Sequence, residues 1–220
     1  MKNRQNRKER EAQLVRYSEE VYRNATVETV RDGLWLIRAH HYNTYVVDLP
    51  NGALLVYGQI DAVLFEGYHA NRDASAADKL RSKVNWAANS DADYIATKVA
   101  SSMRDSIRTV DLDIAEADLL DMEQDEISGC GADAETVARL GEEAALDKHV
   151  LRRLKAIREA RELLASDGSV ERAREEICEH IDDGWEIADS IGRVVSAHLF
   201  YARAALRVFL AHLVAQKQAA

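Results

Sequence analysis

Two hydrophobic periods divide this chain. Residues 8–25 place Leu14, Tyr17, Val21, Tyr22 and Ala25 on one side of a helix. The period then drops to two. Thr26 to Arg31 alternates, Asp32-Gly33 is a hairpin signal, and Leu34 to Ala39 and Thr44 to Leu49 read as strands. Pro50-Asn51-Gly52 turns the chain into Ala53 to Tyr57, Gly58 breaks that strand, and Ile60 to Phe65 predicts one more. Such a meander must bury one face against a helix.

From Ala74 onward the helical period dominates. Ala74 to Ala88 predicts one helix. Ser90, with Asp93 three residues later, predicts the cap of another that runs to Thr109 through Ile95, Val99, Met103 and Ile107. Leu112 to Ile127 predicts an acidic helix, broken at Ser128-Gly129-Cys130-Gly131. Asp133 to Ala165 predicts a long helix, and Ser169 caps one that reaches Asp183. The last segment, Trp185 to Gln218, carries Ala188, Ile191, Val195, Leu199, Ala202, Leu206, Phe209 and Leu213 at steps of three and four. Val194, His198, Tyr201, Ala205 and Val208 widen that face until other helices or a second subunit must cover it. The expected fold is α+β: residues 1–72 form a helix and an antiparallel sheet, and residues 74–220 form a helical bundle.

Composition adds limits. Apolar residues at 47% and charged residues at 30% are globular values. One proline leaves few obstacles to long helices. A net charge of -9 argues against nucleic-acid binding over the whole surface. Two cysteines and a charged start, MKNRQNRKER, without an apolar signal core predict a reducing cytoplasm. No stretch is apolar enough to predict a membrane span.

Charge is unevenly placed. Asp111 to Glu126 holds eight carboxylates and no basic residue, whereas Arg193 onward holds four basic residues and no acid. Eight carboxylates without local counter-ions repel each other, which a basic partner would relieve. Asp118, Asp121 and Asp125, at steps of three and four, are the expected partner-binding face. The basic start, with Lys2, Arg4, Arg7, Lys8 and Arg10 against Glu9, offers a phosphate-binding arm as the competing nucleic-acid reading.

Signatures of common enzymes are missing: no glycine-rich phosphate loop, no Gly-x-Ser-x-Gly, no His-Glu-x-x-His, no Cys-x-x-Cys. The best catalytic candidate is Glu159-x-x-Glu162 followed by Glu186-x-x-Asp189. This pair resembles the motifs of MazG-like all-α nucleotide pyrophosphohydrolases. The resemblance implies magnesium held against a triphosphate by Glu159, Glu162, Glu186 and Asp189. At about 100° per residue, however, Glu159 lies opposite the stripe of Val150, Leu154 and Ile157, whereas metal carboxylates in such bundles project inward. Glu186 lies similarly far from Ala188, Val195 and Leu199. Glu176 and His180, with Cys178 and Asp182 nearby, are a lesser metal candidate, with His180 at the border of an apolar stripe. His40-His41 reads as a loop pair, and Cys130 lacks a neighbouring positive charge that would activate it.

Residues 37–59, IRAHHYNTYVVDLPNGALLVYGQ, carry a Tyr-Asn-Thr step at Tyr42, Asn43 and Thr44 and a strand pair around Pro50. They resemble a hairpin in small uncharacterised proteins of phages and mobile elements. The Thr-rich segment expected after it is replaced by Asp61 to Glu66. The expected function is a non-catalytic interaction protein of a phage or plasmid that blocks a host defence factor by occupying its basic surface. No cofactor and no membrane is expected, and a homodimer using part of the terminal apolar face is. A magnesium-dependent pyrophosphohydrolase is the alternative.

Overall fold

A computed structural model of the chain describes residues 2–59, 61–69, 71–103, 108–130, 141–182, 184–188 and 190–219. The fold is α+β. The chain forms two compact units. One joins Arg10–Thr109 to Val195–Ala220 and is here the sheet unit; the other joins Met1–Glu9 to Val110–Val194 and is the helical unit. This division differs from the expected boundary near residue 73, because the terminal helix completes the core of the sheet.

The first helix, α1 (Lys2–Tyr22), leads into a five-stranded antiparallel meander: β1 (Thr26–Arg31), β2 (Leu34–Arg38), β3 (Asn43–Asp48), β4 (Leu54–Gly58) and β5 (Asp61–Phe65), paired in chain order. Gly33 adopts φ 72° in the first hairpin turn, as a tight turn between twisted strands requires. Gly58 ends β4 because a Cβ there would stand 2.2 Å from the Asn43 carbonyl oxygen.

Alternation gives the sheet two faces. Ile37, Val46, Leu54, Val56, Val63 and Phe65 point inward and are buried. They meet α2 (Ala76–Asn89), α3 (Ala92–Thr97) and α9 (Ala197–Ala219). Leu199, Ala202, Leu206 and Phe209 of α9 are buried there, as the sequence predicts. Much of the wide face of α9 is thus covered by α2 and the sheet, while Tyr201, Val208 and Leu213 stay partly exposed. Trp35 lies 4.7 Å from Phe209 between ring centres. Tyr22 is buried with its hydroxyl 2.6 Å from that of Thr44, and burial pushes its pKa up to about 12. Arg203 is buried in α9, and the carboxylates that act on it, Asp91 and Glu11, form no close ion pair with it among the described residues. It donates instead to the carbonyls of Ala88 and Ser90 at the end of α2. A cation there complements the helix dipole and satisfies carbonyls the helix leaves open.

Three expected helices are broken. Ser90 ends α2 rather than opening the next helix; Asp91 caps α3, its carboxylate accepting from the Tyr94 N–H. That helix stops at Thr97, and Val99 bridges Phe65 beside the sheet. Strand pairing there outweighs the helical spacing of Val99 and Met103.

The terminal segment is the second. Helix α8 (Gly184–Ala188) belongs to the helical unit, whose chain leaves through a turn and the strand β7 (Arg193–Val195) before α9 begins. Gly192 adopts φ 66°, and a Cβ there would stand 2.7 Å from Ala115 Cβ. No side chain fits that turn. Ala188 and Ile191 therefore enter one core and Leu199 onward another, although their spacing is continuous. The other passage runs through the strand β6 (Arg108–Val110).

In the helical unit, α4 (Leu112–Gly129) packs on α6 (Lys148–Asp167), α6 on α7 (Val170–His180), and α7 on α8. The expected helix from Asp133 is also interrupted. Residues 131–140 lie outside the described residues, a short α5 (Glu142–Ala145) follows, and Asp147 starts α6 afresh by accepting from the N–H groups of His149 and Val150. Ser169 caps α7, as the sequence predicts. The core consists of Ala115, Leu119, Ala156, Ile157, Ala160, Leu164, Val170, Ala173, Ile177, Ile181, Ala188 and Ile191. Among the described residues, no helix is long and apolar enough to cross a membrane.

Candidate functional site

The helical unit has an open cleft of about 440 Å³ between α4 and α6. Leu112, Asp113, Glu116 and Glu123 line it from α4; Arg158, Arg161, Glu162, Leu164 and Ala165 line it from α6. The alanines of the core set this geometry. Ala115, Ala156 and Ala160 let the helices approach closely, so long charged side chains flank the seam.

At the floor, Glu123 joins two arginines. Its Oε1 accepts from Arg158 Nε at 2.6 Å and its Oε2 from Arg161 Nη1 at 2.6 Å. Arg158 also forms a fork with Glu142, at 2.6 and 2.5 Å. These bonds hold the Glu142 carboxyl below its usual range and push the Arg158 guanidinium further up. Arg153 pairs with Glu126 at 2.5 Å. The charges at the floor therefore balance, although the buried Nε of Arg161 has no hydrogen-bond partner among the described residues. The mouth differs: Asp113, Glu116 and Glu162 are exposed and pair with no charged side chain among the described residues.

The acidic run is thus compensated in part, at Asp118, Glu123 and Glu126, and the face expected from Asp118, Asp121 and Asp125 is not wholly free. Asp118 accepts from Arg7 Nη2 at 2.6 Å and from the Gly192 N–H at 2.8 Å, tying the start of α1 to the turn before β7. Its side chain is 21% exposed. Asp121 is half-buried and engaged; Asp125 alone is exposed. The counter-charges come from Arg7, Arg153, Arg158 and Arg161, all remote in sequence, so a local charge count misses them. The spacing of Arg158 and Arg161 on one helical face was the available signal.

The metal candidates fall only partly among the described residues. Glu159 lies within 3.6 Å of Lys155 as an ion pair along α6, and Glu162 stands at the cleft mouth. The side chain of Glu186 and all of Asp189 lie outside the described residues. Glu176 meets His180 at 2.9 Å, while Asp182 lies near His149 at 3.7 Å. Among the described residues, no group of three or more potential ligands could hold a metal ion. Cys130 and Cys178 are free, exposed thiols. His40 and His41 touch edge to face at 4.0 Å in the β2–β3 turn. In the basic start Arg7 is engaged by Asp118, and Lys8 is exposed.

No family model, curated protein or solved structure matches this chain.

Proposed function

We propose that this protein is a non-catalytic interaction protein that receives a basic protein surface at the mouth of the α4–α6 cleft. The observation that carries this reading is the contrast within the cleft. Two arginines at the floor are charge-paired by Glu123 and Glu142, whereas Asp113, Glu116 and Glu162 project above them without counter-ions among the described residues. A lysine or arginine side chain entering the mouth meets net negative charge close to a low-dielectric wall, which steers association and fixes register. The binding surface is thereby moved from Asp118, Asp121 and Asp125 to these three residues.

The likeness of residues 37–59 to a hairpin of phage and mobile-element proteins supports placing the partner among host defence factors. The protein would then act by covering the basic surface such a factor uses.

The test is affinity purification of the full chain from a candidate host cell, with identification of bound proteins. It is followed by association kinetics with the recovered partner. Asp113→Asn, Glu116→Gln and Glu162→Gln combined should slow association about tenfold or more at low salt and flatten its salt dependence. A triple variant with the wild-type rate and salt dependence would remove the cleft mouth as the binding surface. Magnesium-dependent pyrophosphate release from nucleoside triphosphates, lost in Glu162→Gln, would instead establish the hydrolase reading.

A further inference from the structure

The sheet unit has a cleft of its own, about 340 Å³, where the turn after β3 meets the first turns of α2. Ala76, Lys79, Leu80 and Lys83 follow one another at steps of three and one, so one face of α2 lines it. Leu49 and Pro50 of the turn and the ring of Tyr68 add apolar surface. The turn is held by its own bonds. The Leu49 N–H donates to the Ala53 carbonyl at 3.0 Å, and Asn51 Oδ1 accepts from the Ala53 N–H at 3.1 Å. Tyr68 leans on Trp86, with 5.5 Å between ring centres. The walls are thus fixed by contacts within the chain.

Lys83 is the unusual member. It is only 6% exposed, and lysine is almost never buried so far unless it is paired. An ammonium carries three donors. Lys83 spends one on Asp48 Oδ1 and meets no other acceptor among the described residues. A buried donor without an acceptor is costly, so an oxygen that reaches this ammonium through the cleft is favoured. Lys79 stands one turn earlier on α2, its Nζ held by the Arg72 carbonyl at 2.8 Å.

We infer that this cleft binds a small organic carboxylate, with its charge at Lys79 and Lys83 and its apolar body against Leu49, Leu80 and Tyr68. Charge selects that class. The lining holds two ammonium groups and one carboxylate, a net of one positive charge, which a monoanion balances. A phosphate dianion brings a second negative charge close to Asp48 and is repelled by it. A neutral molecule of the same shape gains nothing from either ammonium. Size agrees, since small-molecule sites begin at about 300 Å³. The pair of Lys83 with Asp48 also ties β3 to α2, and a mere strut would do the same without any ligand. The two roles differ in the sign expected when Asp48 loses its charge.

Amide chemical shifts of the full chain, followed during titration with phenylacetate to about 20 mM, test the inference. Saturable shifts are expected in the turn after β3 and the first two turns of α2, with a dissociation constant of about 1 mM or tighter. Phenylethanol, the neutral counterpart, and phenyl phosphate, at a mildly alkaline pH where it is a dianion, should each bind at least about fivefold more weakly. Lys79→Gln, at a partly exposed position, should weaken phenylacetate by a similar factor while the fold is kept. Asp48→Asn should tighten phenylacetate and narrow the gap to phenyl phosphate, because the competing carboxylate is gone. If Asp48→Asn does not fold, Lys79→Gln and the three probes decide alone. Absence of saturable binding, equal binding of phenylethanol, wild-type affinity in folded Lys79→Gln, or no tightening in folded Asp48→Asn each overturns the inference.

Discussion

The two units are held together by different physics. The sheet unit buries Tyr22, Phe65, Phe200 and Phe209 among aliphatic side chains. Among the described residues, the core of the helical unit holds no aromatic residue, and five of its twelve members are alanine. Alanine gains little from burial, about one methyl group each. Around this thin core stand the pairs of Arg7 with Asp118, Arg153 with Glu126, and Arg158 and Arg161 with Glu123. Partly exposed ion pairs contribute modestly to stability but fix which helix faces meet. The lesson is a division of labour: one unit takes its stability from apolar volume, the other takes much of its specificity from charge.

Large side chains should be the sheet unit's most sensitive point. Phe209→Ala should cost about 3–5 kcal/mol, read by denaturant unfolding and by lost amide protection in α9 and the sheet. A cost below about 1 kcal/mol would break the contrast at its strongest end. In the helical unit, Glu123→Ala leaves Arg158 and Arg161 each without one partner. The expected cost is about 1–3 kcal/mol, with protection lost first in α4 and α6. Leu163→Ala, at a half-buried position of α6, should cost less than Glu123→Ala if charge outweighs apolar volume along that seam.

Opposite ends of the pH scale separate the units further. Glu142, Asp147 and Asp167 of the helical unit are held below their ordinary pKa values, by Arg158 for Glu142 and first by backbone N–H groups for the two aspartates. Their contribution is complete above the unfolded carboxyl pKa and is lost as pH falls through the lower folded values. The sheet unit has Asp78, pulled down to about 2 by Ser75, Lys217 and Arg81, so its acid loss extends further down. Tyr22 gives the reverse sign. Its folded pKa is about 12 against an unfolded 10.0, so its contribution is present below pH 10 and lost as pH rises from there. Hydrogen exchange should show α5 and the starts of α6 and α7 loosening first in acid, and α1 and β3 loosening first in alkali. Tyr22→Phe should reduce the alkaline loss, leaving the part due to Tyr201, whose pKa burial also raises.

Capping should not separate the units at all. Ser75 accepts from the Asp78 N–H at 3.1 Å in the sheet unit, and Ser169 from the Arg172 N–H at 3.2 Å in the helical unit. Replacing either by alanine should cost about 1 kcal/mol. A large inequality would show that local capping depends on the surrounding core.

Legibility in the sequence follows the range of the forces. The meander was readable because alternation and turn chemistry are local. Asp32-Gly33 and Gly58 fall where the chain reverses, and the strand ends agree within about one residue. The cap at Ser169 was readable for the same reason. The terminal segment misled because apolar spacing continues through Gly192 while the residues on either side serve different cores. The acidic helix misled because its counter-ions sit on a helix more than twenty residues away. The cap expected at Ser90 falls one residue later, at Asp91, because Ser90 serves to end α2. In the candidate site Glu162 was legible as an exposed carboxylate. Its neighbours Asp113 and Glu116 were not, since pairing within the run left them as the unengaged members.

The discontinuity of the sheet unit has a consequence for synthesis. Its residues 10–109 emerge from the ribosome well before residues 195–220. At about 5–20 residues per second, the meander spends several seconds with Val46, Val56 and Val63 uncovered while the helical unit is being made. The nascent chain must therefore keep an unfinished sheet from pairing with its neighbours, a task for which charges and a register shift along β1 are suited. A cell short of chaperone capacity should accumulate this protein as aggregate through the sheet segment, even though the finished fold buries those valines completely.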